Sequence, residues 1–117
     1  MSKKLGTFGE QKALQYLLNK GFKLIDKNYR GTKGEVDLIV RKDKVLSFVE
    51  VKTWKSVCFE DLEYGINKKK QSRIIHAARE YLVKHDEYLG MEIQFDVVYI
   101  NPSEGRFVYI PSAYGAE

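Results

Sequence analysis

The chain has 117 residues, of which 44% are hydrophobic and 31% are charged, and this composition predicts one small globular domain over residues 1–117. A lone cysteine, Cys58, excludes an intramolecular disulfide framework, and no apolar run approaches the roughly 18 residues of a membrane helix. The net charge of +4 is mildly basic, and polar residues 6–12 stand where a signal peptide would be apolar, so we expect a cytoplasmic protein.

Hydrophobic periodicity predicts the order helix, three strands, helix, two strands. The first helix is predicted over residues 8–19 by apolar residues at helical spacing, with Gly21 as a left-handed stop. The next three elements are strands, predicted over residues 22–29, 35–41 and 44–52. A second helix starts near Asn67, and "IQFDVVYI" and "RFVYI" are the last two strands. Strands on both sides of a helix predict an α/β fold with a mixed sheet flanked by helices.

Glu10 of the first helix has two interpretations. The stretch "TFGE" ending at Glu10 has the pattern of a capping box, in which this glutamate bonds back to the Thr7 amide. Glu10 also lies three, four and seven residues before apolar residues of the core stripe, so its carboxylate could reach a site on the sheet. Both roles remain open at this point.

The segment "GEVDLIVRKDKVLSFVEVKTW", residues 34–54, predicts a β-hairpin with one unusual face. A turn centred on Lys42 and Asp43 would set Glu50 opposite Glu35 and Phe48 opposite Asp37. Side chains alternate between the two faces of a strand. One face therefore carries Glu35, Asp37, Glu50 and Lys52, and the other carries Val36, Leu38, Val40, Val49 and Val51.

Like charges opposite one another destabilise a sheet, so folding alone gives no reason for the carboxylates to cluster. Converging carboxylate oxygens suit Mg²⁺ or Mn²⁺, and we expect Asp37, Glu50, Glu10 and the carbonyl of Val51 as ligands. Without a metal, at least one carboxylate should have a raised pKa. Lys52 would orient or help deprotonate an attacking water, or offset charge on a phosphate. The alternative is that Glu50 and Lys52 form an ordinary ion pair on a solvated face.

The second helix begins with a run of lysines, in "NKKKQSR". Lys68, Lys69 and Lys70 oppose the positive end of the helix dipole at a cost of a few tenths of a kcal/mol each. A bound phosphate would reverse that cost. Lys70 lies nearest the core stripe and is the strongest candidate, with Arg73 one turn further on. The alternative is a solvated lysine run with no ligand.

The basic residues are concentrated in two stretches. Residues 1–34 hold eight Lys or Arg against two acidic residues, and residues 66–85 hold six against one. If the two stretches share a face, that face would attract a polyanion. Scattered solvating lysines explain the charges equally well.

The other polar candidates favour structural roles. His76 and His85 are nine residues apart without a third ligand nearby, so we expect them on a helix surface. Cys58 lies among acidic residues that disfavour its thiolate. Asp96 faces away from Phe95, and we interpret it as structural, paired with a base of the second helix.

Five segments follow one another in the pattern of the small bacterial YraN-like family: "GEQKALQYLLNKGFKLIDKNYR", "GEVDLIV", "FVEVK", "KQSRIIHAAREYL" and "QFDVVYI". The chain resembles this family over nearly its whole length. The family is grouped with the PD-(D/E)xK nucleases, close to archaeal Holliday-junction resolvases. The resemblance implies a restriction-endonuclease-like αβββαβ core and metal-assisted phosphodiester hydrolysis. Asp37, Glu50 and Lys52 match the D-x(n)-E-x-K signature, Glu10 matches the first-helix acid, and Lys70 matches a second-helix lysine.

Two positions depart from the pattern of the superfamily. Val36 stands in place of the proline that precedes the aspartate, as is common in resolvase-like members. Trp54 stands where a basic residue is usual, so either Lys55 replaces that residue or Trp54 stacks on an exposed base.

The leading hypothesis is a metal-dependent DNA endonuclease, acting on branched or structured DNA in repair or recombination. The resolvase resemblance also implies a symmetric homodimer. The alternative is a nucleic-acid-binding or assembly subunit that keeps the nuclease fold without cleaving DNA.

Overall fold

The computed structural model describes residues 2–53, 66–101 and 103–115, with side chains from residue 8 onward. Two α-helices are present in this part of the chain, α1 (Ser2–Asn19) and α2 (Lys68–Lys84), and a short 3₁₀ helix (Asp86–Tyr88) follows α2. The strands are β1 (Lys23–Arg30), β2 (Glu35–Lys42), β3 (Val45–Thr53), β4 (Glu92–Asn101) and β5 (Arg106–Tyr114). The predicted order of elements is confirmed.

The five strands form one mixed sheet in the order β1-β2-β3-β4-β5. Strands β3 and β4 are parallel and are connected through α2, whereas the other neighbours are antiparallel. The predicted α/β class is confirmed, and the arrangement is consistent with a restriction-endonuclease-like αβββαβ core. None of the described helices has the length and apolar character needed to cross a membrane.

Within the described residues, one α-helix packs on each face of the sheet. Ile74 and Ala77 of α2 pack with Ile39 of β2 and Phe48 of β3. On the other face, the residues that pack together are Ala13, Leu17, Leu38, Val40, Val49, Val98 and Ile100. Because strand side chains alternate between faces, the hairpin supplies apolar residues to both layers. Full burial of each large aliphatic side chain stabilises the fold by about 1.5–3 kcal/mol.

Helix α1 is longer than predicted. It begins at Ser2, so Thr7 lies inside the helix and the predicted capping box ending at Glu10 is wrong. Lysine and leucine at residues 3–5 are good helix formers, and they allow the helix to continue through Gly6. The predicted stop is confirmed, since Gly21 has φ 100° and its amide bonds the Leu18 carbonyl at 3.0 Å.

The hairpin register differs from the prediction by two residues. Lys42 pairs with Val45, so the turn consists of Asp43 and Lys44, and the pairs predicted from a turn at Lys42 and Asp43 are wrong. Phe48 lies opposite Ile39, not opposite Asp37. Asp43 has φ 54°, a left-handed conformation that aspartate tolerates better than most residues. A shift of two residues preserves the face of each side chain, so the acidic face survives the error.

One apolar residue leaves its predicted face. Val36 was expected beside Leu38, but it packs in the α2 layer with Ile74 and the ring of Tyr29. The regular alternation of β2 therefore ends between Val36 and Leu38. Asp37 lies between these two residues.

Candidate functional site

The paired part of the hairpin ends beside Asp37. The backbone pairs of the hairpin begin with Lys42 and Val45 and end with Leu38 and Val49. Asp37 is the next residue of β2 after the last pair. Its carboxylate Oδ2 accepts a hydrogen bond from the Val51 amide at 2.8 Å. The side chain thus links β2 to β3 where pairing ends, and it lies next to Glu50.

Asp37 and Glu50 are close enough to interact strongly. Burial first, and then the charge of Glu50, raise the pKa of Asp37 from its ordinary 3.8 to about 8, against the lowering effect of the Val51 amide. The predicted raised carboxylate pKa is confirmed. Burial and a neighbouring carboxylate thus favour the neutral form of Asp37.

Glu50 is buried and has a lysine as its counter-ion. Its side chain is 6% exposed, and its Oε2 lies 2.7 Å from Nζ of Lys70, whose side chain is 46% exposed. Burial lowers the pKa of Lys70, but the hydrogen bond and charge of Glu50 outweigh that effect and raise it. The lysine predicted to bind phosphate thus forms an ion pair with a carboxylate of the site.

Glu10 brings a third carboxylate from α1. Burial raises its pKa, while hydrogen bonds with Asn28 and Asp37 lower it, and the net shift is upward. The expectation that Glu10 reaches a site on the sheet is confirmed. Asn28 was not predicted, although its φ of 54° in the middle of β1 is the kind of conformation that asparagine favours.

The other two residues of the predicted acidic face have different surroundings. Glu35 is exposed and pairs with Arg30, with 3.6 Å between NH2 and Oε2. Lys52 is half-buried on β3, two residues after Glu50, in register with Tyr99 of β4. The carboxylates that the structure brings together are therefore Glu10, Asp37 and Glu50.

A pocket of about 470 Å³ opens beside two of these carboxylates, Asp37 and Glu50. It lies between α2, β2, β3 and the β1–β2 loop. Its lining residues are Thr32, Lys33, Gly34, Glu35, Asp37, Glu50, Lys70, Arg73 and Ile74. The space is large enough for a small ligand or part of a larger one.

The basic residues predicted for nucleic-acid binding are distributed around the start of α2. Lys68 and Lys69 are exposed, and Arg73 lines the pocket. Asn67 caps the helix, because its side chain accepts a hydrogen bond from the Lys70 amide at 2.8 Å. Trp54 and Lys55, like Cys58, lie outside the described residues.

Asp96 is structural, but its predicted partner is wrong. It is fully buried and accepts hydrogen bonds from the Tyr109 hydroxyl at 2.7 Å and the Ser112 amide at 2.8 Å. These two partners come from β5, and a third donor, Nε2 of Gln94 at 3.3 Å, comes from β4, whereas a base of α2 was expected. Asp96 lies in the sheet beside β5, and its hydrogen-bonding capacity is met within the sheet.

No three Asp, Glu, His or Cys side chains in the described ranges form a group arranged to hold a metal. His76 is exposed on α2, and His85 stacks on Tyr81 with 4.1 Å between ring centroids. At the acidic cluster, the Lys70 ammonium pairs with Glu50, and the pKa of Asp37 is raised. The predicted metal ligands remain a prediction.

A model of the family described as "Uncharacterised protein family UPF0102" matches residues 9–100. The chain belongs to this family. A UPF0102 protein of Treponema pallidum (strain Nichols) is 36% identical over 118 residues, covering 97% of the chain and 94% of that relative. A UPF0102 protein of Clostridioides difficile (strain 630) is also 36% identical, over 113 residues, with 97% and 98% coverage. A Nitrobacter winogradskyi member is 37% identical over 97 residues, with 83% and 80% coverage.

The part of the chain that matches UPF0102 contains the whole candidate site. Residues 9–100 include the three carboxylates, Lys52 and all of α2. Strand β5 lies beyond the matched residues, and its described contacts with Asp96 are structural.

Proposed function

We propose that this UPF0102 protein is a divalent-metal-dependent DNA endonuclease of the PD-(D/E)xK type, acting on branched or structured DNA in repair or recombination. The observation that supports it most is the buried apposition of Asp37 and Glu50 where the β2–β3 pairing ends. A purely structural role does not explain why an acidic pair is placed there with Glu10 beside it. Buried like charges oppose folding unless a ligand or proton neutralises them.

The donor types at the cluster suit a hard divalent cation, although the described side chains are not arranged as a ready-made metal site. Carboxylate oxygens from Asp37, Glu50 and Glu10 and the Val51 carbonyl are the donor type that Mg²⁺ and Mn²⁺ prefer. The raised pKa of Asp37 and the Lys70 ion pair show that this cluster acquires positive charge from other sources. Binding of a cation would then release the Asp37 proton and loosen the Lys70 contact.

The protein's own residues divide the remaining tasks. Lys52 would orient the attacking water or accept its proton, because it follows Glu50 by two residues on the same strand. Lys70, with Lys68, Lys69 and Arg73, would hold phosphates of the DNA, and Trp54 and Lys55 remain predicted contacts. When bound, the cation would supply positive charge that stabilises the negative charge developing on the phosphate.

The test is a cleavage assay on duplex, single-stranded, flap and four-way-junction DNA, with Mg²⁺, Mn²⁺ or EDTA. We expect metal-dependent cleavage that Glu50→Ala and Lys52→Ala abolish while DNA binding survives. Glu92→Ala is the matched control, because Glu92 is an exposed carboxylate at the start of β4, remote from the site. Cleavage by Glu50→Ala at the wild-type rate would overturn the assignment.

The second candidate is a nucleic-acid-binding or assembly subunit without cleavage. The Lys70–Glu50 pair favours it, because an internal lysine already balances the charge of one carboxylate. Binding of DNA without cleavage on any substrate of the panel, and without a requirement for Glu50, would select this function.

A homodimer belongs to the nuclease proposal. Cutting paired strands of a two-fold symmetric junction requires two sites related by the same axis, and C2 dimers are the commonest oligomers. Analytical ultracentrifugation of the protein, free and on junction DNA, tests this. A strict monomer at high concentration in both conditions would contradict it.

A further inference from the structure

The β1–β2 loop, "GTKG" at residues 31–34, is fastened to α2. Both carboxylate oxygens of Glu80 accept hydrogen bonds from Thr32: Oε1 from the backbone amide at 2.8 Å and Oε2 from the hydroxyl at 2.8 Å. These hydrogen bonds lower the pKa of Glu80. The Gly31 amide also bonds the Gly34 carbonyl at 2.8 Å, which closes the loop on itself.

The two glycines of this loop permit its close approach to the helix. A Cβ atom at Gly34 would lie 2.5 Å from the carbonyl oxygen of Arg73, a distance that side chains do not adopt. A Cβ at Gly31 would collide with the Glu80 carboxylate and lie 3.3 Å from the Cα of Ala77. The glycines and the Glu80 contacts therefore fix the position of the loop.

The fastened loop forms one wall of the acidic pocket and brings a lysine to it. Lys33 is exposed and lines the pocket with Arg73 of α2. Two of the pocket's carboxylates already have partners, because Glu50 pairs with Lys70 and Glu35 pairs with Arg30. Lys33 and Arg73 form no ion pair with another described residue. They are the exposed cations that an entering anion would meet.

We propose that the β1–β2 loop is a phosphate-binding arm of this pocket, in which Lys33 contacts the backbone of a bound nucleic acid. In the same arrangement Glu80 is a positioning residue that holds Lys33 in place through Thr32. The identity of the ligand rests on the proposed function, but the arm requires only that nucleic acid binds. A free ammonium on a fixed loop loses less conformational entropy on binding than one on a mobile loop.

The test measures binding of a fluorescent four-way junction in EDTA, so that no cleavage occurs, over a series of salt concentrations. The variants are Lys33→Gln, Glu80→Gln and the double variant. Lys44→Gln is the control, because Lys44 is an exposed lysine in the β2–β3 turn. Glu80→Gln keeps an oxygen that accepts from one Thr32 donor, but its amide nitrogen cannot accept and its charge is gone, so the pair of charge-assisted bonds is lost.

We expect Lys33→Gln to weaken binding several-fold and to reduce the slope of log K against log salt by about 0.9. Glu80→Gln should weaken binding in the same direction. The double variant should bind about as weakly as Lys33→Gln alone. Its loss of affinity should be smaller than the product of the two single losses, because Glu80 acts through the loop that carries Lys33. Lys44→Gln should bind as the wild type does.

An unchanged salt slope for Lys33→Gln would overturn the proposal. If Glu80→Gln has a lower melting temperature but binds junction DNA normally, the Glu80 contacts only stabilise the fold. That result would overturn the positioning role. If Glu80→Gln does not fold, Thr32→Val removes only the hydroxyl contact and carries the same expectation.

A wild type that binds junctions but never cleaves would contradict the nuclease function and leave the phosphate-binding arm intact. A wild type that binds no nucleic acid would overturn the arm.

Discussion

Replacing Asp37 with asparagine tests the electrostatics of the acidic cluster without any substrate. The asparagine side-chain oxygen can still accept the Val51 amide bond, which is 2.8 Å long in the wild type, so the hydrogen bond is kept and the charge is removed. In the folded protein, burial and the charge of Glu50 raise the pKa of Asp37 to about 8. The folded state therefore holds a proton that the unfolded chain releases as pH rises above 4.

The direction of the effect follows from this difference in pKa. Stability that depends on the bound proton is fully present below about pH 4 and is lost as the pH rises through about 8. Asparagine cannot ionise, so Asp37→Asn should become more stable relative to the wild type as the pH rises from about 4 to about 8. A pKa unit corresponds to about 1.4 kcal/mol, and the rise from 3.8 to about 8 sets an upper limit near 6 kcal/mol.

The measurable gain should be smaller than this limit. The charge of Lys70 and water at the pocket relieve part of the repulsion, so we expect Asp37→Asn to be more stable by about 1–3 kcal/mol at pH 8 and equal to wild type near pH 4. Urea unfolding in EDTA at four pH values between 4 and 8 gives the difference directly. Asp43→Asn is the matched control, because Asp43 is exposed in the hairpin turn and asparagine tolerates its φ of 54°.

The same unfolding experiment is repeated with added Mn²⁺. If the cluster binds the metal, Mn²⁺ should raise the unfolding free energy of the wild type but not that of Asp37→Asn. A variant that is less stable than wild type at pH 8, together with a wild type that ignores Mn²⁺, would mean that Asp37 serves the fold. That result would refute the reasoning on which the nuclease proposal depends.

Three further substitutions test other contacts, each by urea unfolding at pH 7.5 in EDTA. Lys70→Met should cost about 1–3 kcal/mol because its glutamate partner is 6% exposed, while Lys69→Met should cost little; equal costs would contradict the ion pair. Gly34→Ala should cost about 1–3 kcal/mol because its Cβ would lie 2.5 Å from a carbonyl oxygen of α2, and a neutral result would mean that the loop is not tightly packed. Tyr109→Phe should cost about 1–3 kcal/mol, since it removes a 2.7 Å hydrogen bond to the fully buried Asp96; an unchanged midpoint would show that Asp96 does not need it.

The elements and the acidic face were predictable from the sequence because both depend on local periodicity. Leu17 on α1 and Phe48 on β3 lie on the faces that their spacing predicts. The hairpin turn was misplaced, yet Glu50 and Asp37 kept their common site. A register error of two residues changes partners but not faces, so the prediction of the cluster did not depend on the turn.

Contacts between distant residues were beyond local reasoning. Thr32 and Glu80 are 48 residues apart, and nothing in the spacing of either residue identifies the other. The two glycines that flank "TK" carried a signal, because paired glycines permit backbone to approach a neighbouring element. The predicted strands on either side left these residues as a connection, and only the packing of the loop against α2 shows why glycine is needed.

Lys70 shows why a residue's position was easier to predict than its partner. Its spacing from Ile74 predicted that it would lie near the core stripe, and it does lie beside the buried cluster. Its charge allowed two partners, an external phosphate or an internal carboxylate, and the sequence contains no information on which lies closer. In the structure, Nζ of Lys70 lies 2.7 Å from Oε2 of Glu50.

The phosphate role and the ion pair of Lys70 are compatible if a cation at the carboxylates replaces the ammonium. Lys70 would then turn from Glu50 toward the DNA as the site fills, which couples metal binding to substrate binding through one side chain.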